Sequence, residues 1–111
     1  MNPESFKYIG DILDSIEMIK SHLTGIKSFT EYKSNFMLID AVERRLAIIG
    51  EALWKLTKLD KDINVTDKKK IIALRHILIH DYDLIDDASI WKIVHTNLEI
   101  LKDEIAKILK T

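Results

Sequence analysis

The sequence predicts an all-α protein, an antiparallel bundle of four to five helices. Apolar residues recur at helical spacing over most of the chain. The 111 residues include only 3 Gly and 1 Pro, fewer than the turns of an all-β fold need. A composition of 47% hydrophobic and 32% charged residues excludes a disordered chain and predicts one packed domain over residues 1–111.

The first helix is expected to begin with Asn2 as its N-cap and Pro3 at the first helical position. Apolar residues follow at helical spacing from Ile9 to Leu23, and Gly25 is a suitable stop. The polar segment 28–35 is expected to be a connection with room for a short helix.

The second long helix is expected to begin near Ser34 or Asn35. Its apolar residues alternate spacings of three and four from Ile39 to Leu56, which is typical of a long helix in a bundle. Gly50 lies inside this helix, where glycine costs about 1 kcal/mol relative to alanine. Gly50 therefore predicts a close helix crossing, either within the chain or between two chains.

The third helix is expected to begin at Thr66 as its cap. Its segment 71–79 is apolar on almost every face, which predicts a central and largely buried helix. Asp86 or Asp87 is expected to cap one continuous last helix. The buried stripe of that helix is predicted to consist of Ile90, Val94, Leu98, Leu101, Ile105 and Ile108.

Composition also excludes several classes of function. The net charge of -1 does not suit a protein that binds nucleic acid by bulk charge. The absence of cysteine excludes disulfide scaffolds, thiol catalysis and zinc fingers, and no glycine-rich phosphate loop is present. Apolar runs are too short to span a membrane, and the first residues do not resemble a signal peptide, so a cytoplasmic protein without a cofactor is expected.

The segment 75–83 carries the densest set of reactive side chains. On a helix, His76, His80 and Asp83 would share one face, and Arg75 would share another with Tyr82. Arg75 and His80 are five residues apart, about 140° around a helix. They converge only if the helix ends near Asp81, if the arginine reaches round, or if two copies of the segment face each other.

Three interpretations of this segment compete. In the first, Arg75 pairs with a core carboxylate such as Glu51, and the histidines are structural. In the second, His76, His80 and Asp83 bind a metal through two imidazoles and one carboxylate. In the third, an arginine stabilises phosphorane charge while a histidine moves protons, as metal-free cleavage of RNA requires.

The motif Arg75 to Tyr82 reads R-x-x-x-x-H-x-Y, and residues 48–52 read I-I-G-E-A. With these two motifs in this order, the chain resembles HEPN domains of the HepT-like toxin group over essentially its whole length. His76 departs from that pattern, because many relatives carry Asn there.

The resemblance implies a homodimer that cleaves RNA without a metal and leaves a cyclic phosphate. Arg75 would then hold the scissile phosphate, and His80 would be the general acid and base. His76 and Glu51 would support the site. Tyr82 matches the tyrosine to which a partner nucleotidyltransferase antitoxin attaches AMP.

Two other functions stay open on the sequence. A non-catalytic HEPN module would bind the nucleotidyltransferase partner, with Arg75 and His80 as interface groups. A metal-dependent enzyme would use the two histidines and Asp83.

Four smaller features have a plain interpretation beside a functional one. Trp54 and Trp91 are expected to be packing anchors more often than platforms for RNA bases. The lysines at 68–70 and the pair Arg44 and Arg45 either cover a solvated surface or contact RNA or a partner.

Overall fold

A computed structural model describes residues 1–110 and confirms the all-α fold. No β-strand occurs in this part of the chain. A 3-10 turn, Tyr82–Leu84, separates α4 from α5. The six α-helices are α1 (Ser5–His22), α2 (Phe29–Lys33), α3 (Phe36–Leu59), α4 (Lys68–His80), α5 (Asp87–His95) and α6 (Asn97–Lys110).

The core lies along α3, which packs against α1 on one side and α4 on the other. α1 runs antiparallel to α3, because the backbone N–H of Asn2 donates to the carboxylate of Asp60 just past the end of α3, at 3.2 Å. The predicted apolar stripes of both helices are confirmed. Their fully buried members are Ile9, Ile12, Ile16 and Ile19 on α1 and Val42, Leu46, Ile49, Leu53 and Leu56 on α3.

The start of α3, the short helix before it and the stop at Gly25 agree with the sequence. The Asn35 side chain accepts from the Leu38 backbone N–H at 3.0 Å and caps α3. The predicted short helix is α2, and Gly25 before it adopts the left-handed conformation with φ +83°. The predicted start of α1 was too early: Asn2 accepts from the Glu4 N–H at 2.9 Å, but only a turn precedes Ser5.

The predicted cap of the third helix was wrong. Thr66 is outside α4, which begins at Lys68. The backbone N–H of Thr66 donates to Glu104 of α6 at 3.0 Å, and its hydroxyl donates to the same carboxylate at 3.0 Å. The neighbouring carboxylate of Asp67 accepts from the Asn97 amide at 2.8 Å. Both side chains are used to fasten the start of α4 to α6, so neither caps the helix.

The prediction that α4 is central and largely buried was also wrong. Ile71 is its only buried residue. α4 packs mainly against α3, and the turn after it adds the only other substantial contact. Ile79 is 47% exposed, and Leu84 beyond the helix is 68% exposed. One side of the apolar segment of α4 therefore packs against α3, and no element of residues 1–110 covers the other side.

The last helix, expected to be continuous, is broken at Thr96. This residue has φ -124° and ψ -64°, outside the helical region, and its hydroxyl donates to the Lys92 carbonyl at 2.7 Å. A side-chain hydrogen bond of this kind, to a carbonyl of the preceding turn, competes with the backbone hydrogen bonds of a helix. The predicted stripe nevertheless lies inward on both halves, with Ile90, Leu98, Leu101 and Ile105 at most 2% exposed.

None of the helices described between residues 1 and 110 combines the length and the apolar character that a bilayer crossing requires.

Candidate functional site

The crossing of α3 and α4 sets the position of Arg75. A Cβ atom added to Gly50 would overlap the Cβ of Arg75 and would lie 3.0 Å from the carbonyl oxygen of Ile71. The close approach predicted from Gly50 is therefore confirmed, and it occurs within the chain. It brings the Arg75 backbone directly against α3.

Two side chains of α3 then hold the Arg75 guanidinium. Nε of Arg75 forms an ion pair with Oε2 of Glu51, and both atoms are buried. The guanidinium carbon lies 5.2 Å from the ring centre of Trp54, a cation–π distance. The terminal guanidinium nitrogens make no ion pair or hydrogen bond with residues 1–110. Glu51 thus holds Arg75 through Nε, and the two terminal nitrogens of the guanidinium have no partner among residues 1–110.

Trp54 is a residue whose role the sequence did not indicate, since it was expected to be a packing anchor. Helical spacing was the available signal, because Trp54 is four residues after Gly50 and three after Glu51. Residues at these spacings share a helix face, so all three approach α4 together. Trp91, by contrast, packs on Tyr32 with ring centres 5.4 Å apart, as a packing anchor does.

The two histidines lie together on the exposed side of α4. The ring centres of His76 and His80 are 4.8 Å apart, and both side chains are solvent-exposed. Nε2 of His76 is 3.9 Å from a carboxylate oxygen of Asp81. α4 ends at His80, where the backbone of Asp81 leaves the helical conformation with φ -132° and ψ 46°.

The end of α4 changes the register predicted for the following residues. Tyr82 and Asp83 belong to the 3-10 turn, so they do not continue the helix faces of Arg75 and His76. Among residues 1–110, no three histidine or carboxylate side chains are grouped as metal ligands. The predicted face of two histidines and Asp83 is therefore not assembled. Tyr82 is 74% exposed.

Arg75 and His80 diverge within one chain. The arginine side chain extends over α3 to Glu51 and Trp54, whereas His80 lies beside His76 at the solvent-exposed end of the helix. The helix does end near Asp81, but no hydrogen bond or ion pair joins the two side chains within residues 1–110. Each group has its own contacts, Arg75 on α3 and His80 beside His76.

The sequence is similar to those of one family of known proteins. The family model described as "Ribonuclease HepT-like" matches residues 12–108. This chain belongs to the HepT-like family. The match includes the whole segment 75–82 and the α3 segment that holds Arg75, so the family inferred from the two sequence motifs is confirmed.

Related proteins carry ribonuclease names. A Methanocaldococcus jannaschii protein named "Gamma-glutamylcyclotransferase and putative RNase" is 36% identical over 104 residues, which are 93% of this chain and 46% of that protein. This chain therefore spans about half the length of that relative. A second protein of that organism, named "Putative RNase", is 36% identical over 100 residues, 88% of this chain and 90% of that protein.

A third relative comes from Caldanaerobacter subterraneus subsp. tengcongensis and is also named "Putative RNase". It is 30% identical over 104 residues, which cover 93% of this chain and 92% of that protein. No solved structure gives a significant match to the chain. The HepT-like chain is thus a HEPN protein of the ribonuclease type.

Proposed function

We propose that this HepT-like protein is a metal-independent endoribonuclease, and that two copies of its segment 75–80 form one composite active site. One observation carries the proposal. Arg75 is anchored at Nε by Glu51 with its terminal nitrogens uncommitted, and His80 is exposed on the last turn of the same helix. A fixed cation and an accessible imidazole are the two groups that this reaction needs.

The chemistry uses the nucleophile that RNA already carries. His80 accepts the proton of a ribose 2′-hydroxyl as O2′ attacks the phosphorus and the P–O5′ bond breaks. The terminal nitrogens of Arg75 bind the non-bridging oxygens, where negative charge develops. A second imidazole protonates the departing O5′, so the products are a cyclic phosphate and a 5′-hydroxyl. His76, with its ring 4.8 Å from that of His80, supports the orientation of the catalytic imidazole.

A homodimer supplies the second set of groups. In one chain Arg75 contacts α3 whereas His80 lies beside His76. The adjoining surface exposes apolar side chains such as Ile79 and Leu84. An uncovered apolar surface of this kind favours association with another chain. In a two-fold dimer the same segment of each copy meets at the axis, which brings both arginines and both histidines into one cleft.

The proposal includes regulation as the toxin of a toxin–antitoxin pair. Tyr82 lies two residues after His80 and is 74% exposed, so its hydroxyl is accessible to a nucleotidyltransferase antitoxin. That hydroxyl would attack the α-phosphate of ATP, join AMP to the tyrosine and release pyrophosphate. The attached phosphate and adenosine would then occupy the space beside His80 that the RNA needs.

Cleavage of RNA in excess chelator tests the proposed function. The purified wild-type protein should cleave, whereas Arg75→Ala and His80→Ala should each lose nearly all activity. His22→Ala is the matched control, because His22 is an exposed histidine at the far end of α1. Equal activity in all four proteins would mean a contaminating nuclease and would contradict the assignment of the site.

Two other results would point to the remaining functions. If folded wild-type protein without AMP on Tyr82 cleaves no RNA but binds a nucleotidyltransferase tightly, the chain is a non-catalytic HEPN module. If cleavage disappears with chelator and returns with a divalent metal, the enzyme is metal-dependent.

A further inference from the structure

A groove of about 290 Å³ lies next to Arg75, where residues of α1, α3 and α4 meet. Glu51 belongs to both places, because it lines the groove and pairs with Arg75. Ile79 closes the groove from α4, one turn after Arg75 on the same helix face and directly before His80. The groove therefore adjoins the candidate site at Glu51.

The groove is richer in positive charge than the chain as a whole. It contains three basic side chains, Lys7, Arg44 and Lys55, against the carboxylates of Asp11 and Glu51. The net charge of the whole chain is -1. This local excess of cations gives an anionic ligand a place to bind that the overall charge does not provide.

The three basic residues differ in their partners. Nζ of Lys7 is 3.3 Å from Asp11, and Nζ of Lys55 is 3.4 Å from Glu51. Arg44 is exposed and makes no ion pair with residues 1–110. Its guanidinium can therefore bind a phosphate without first losing a partner.

Apolar and aromatic surface completes the groove. Ala47 and Ile48 of α3 and Ile79 of α4 contribute apolar walls. Tyr8 adds an aromatic ring, and the ammonium groups of Lys7 and Lys55 lie 5.1 and 5.8 Å from its centre. Proteins that bind single-stranded nucleic acid use basic side chains for its phosphates and aromatic rings for its bases.

We propose that this groove is the subsite for the nucleotide next to the scissile phosphate of a single-stranded RNA. Its phosphate would contact Arg44, with Lys7 and Lys55 nearby, and its base and ribose would lie against Tyr8 and the apolar walls. The volume is at the lower end for a small-ligand site and suits about one nucleotide. This inference rests on the proposed function, because the strand continues from the groove to Arg75 and His80.

Two adjacent arginines provide a matched pair for the test. Arg44 lines the groove, whereas the neighbouring Arg45 does not. Neither makes an ion pair with residues 1–110, and both are in the middle part of α3. Arg44→Ala and Arg45→Ala therefore remove the same charge from the same helix, and they differ in whether the groove loses it.

Cleavage of a tetranucleotide is compared with cleavage of a dinucleoside monophosphate, which has only the scissile phosphate. Wild-type protein should prefer the tetranucleotide in kcat/KM. Arg44→Ala should reduce that preference by about tenfold, the effect of losing one charged contact. Arg45→Ala should keep the preference. Tyr8→Leu should lower kcat/KM for both substrates and leave the preference unchanged, because both substrates carry the base and ribose next to the scissile phosphate. Equal preferences in Arg44→Ala and Arg45→Ala would overturn the proposal.

Binding to an inactive protein separates the failure of the groove from the failure of the proposed function. Fluorescence anisotropy with a labelled tetranucleotide and His80→Ala protein measures affinity without cleavage. Adding Arg44→Ala should weaken binding and lower the salt dependence by about one phosphate contact. If wild-type protein never cleaves but binding still depends on Arg44, the groove stands and the ribonuclease function fails. If RNA is cleaved but neither assay depends on Arg44, the groove proposal fails alone.

Discussion

The Glu51 carboxylate meets Arg75 at Nε, the inner nitrogen of the guanidinium, rather than at its two-pronged end. In this geometry a structural role and a catalytic role of Arg75 do not exclude each other. A salt bridge through Nε orients the side chain, and the terminal nitrogens retain the spacing that a phosphate accepts. Pairing with a core carboxylate and binding of a substrate are therefore compatible in one residue.

Glu51→Gln should reduce kcat by about ten- to a hundredfold, because a hydrogen bond to a charged group contributes about 1.5–3 kcal/mol to holding Arg75 in position. Steady-state kinetics with an RNA substrate measure the effect. Glu99→Gln is the control, since Glu99 pairs with Lys20 at 2.8 Å on a remote surface. Equal kcat values for the two variants would contradict the role of Glu51.

Gly50→Ala should destabilise the fold by about 1–3 kcal/mol, as is usual for extra volume in a tight contact. The new Cβ would overlap the Cβ of Arg75 and force α4 away from α3. Gly10→Ala should instead stabilise the protein by about 0.5–1 kcal/mol, because a Cβ at Gly10 has no atom within 4 Å and alanine favours a helix. Urea unfolding measures both changes. A neutral or stabilising effect of Gly50→Ala would mean that α3 and α4 leave room for a methyl group where they cross.

Mixing wild-type protein with His80→Ala tests the composite site. After subunit exchange at equal amounts, activity should fall to about a quarter of that of an all-wild-type sample, because only pairs of wild-type chains hold both histidines. Independent sites in each chain would retain about half. Sedimentation velocity on the same samples checks that the chains are dimers, and an active monomer would refute the shared site.

Stability should depend on pH through Glu43, whose pKa is raised above its ordinary value of 4.5 by partial burial and by the charges of Asp87 and Asp40. Because the folded-state pKa is the higher one, the protonated carboxyl stabilises the fold at low pH, and this contribution is lost as the pH rises through that pKa. Glu43→Gln should therefore be more stable than wild type at pH 7.

The advantage of Glu43→Gln should disappear below about pH 4.5, where the carboxyl is protonated in the folded and unfolded chains alike. Urea unfolding at pH 7 and pH 4 measures it. Asp103→Asn is the control, because Asp103 is an exposed residue of α6 and is not among the carboxylates that act on Glu43. An advantage that grows on acidification would contradict the assigned direction.

Most of the fold could be predicted from the sequence, because apolar spacing and helix caps are local signals. The stripe along α3, its cap at Asn35 and the close crossing at Gly50 are of this kind. The error at the start of α4 arose where a side chain made a long-range contact. Thr66 looks like a cap in sequence, but it bonds to Glu104, which is 38 residues away.

The candidate site was only partly predictable for the same reason. The motifs identified Arg75, His80 and Glu51, but spacing along α4 could not indicate where the Arg75 side chain extends. The contact with Trp54 depends on how two helices cross, and so does the groove that includes Arg44 but not Arg45. A periodic pattern gives the face of a helix and carries no information on which neighbour that face meets.

The attachment of α4 has a consequence for the proposed dimer. Thr66 and Asp67 fasten the start of α4 to α6, and Ile71 is buried. The contacts with α3 extend to Arg75, whereas His80 in the last turn is exposed. This end of α4 should fray first, and backbone amides there should exchange with solvent faster than those near Ile71. In the proposed dimer a second copy would cover both helix ends at once, so the protein concentration would determine how many chains have these ends ordered.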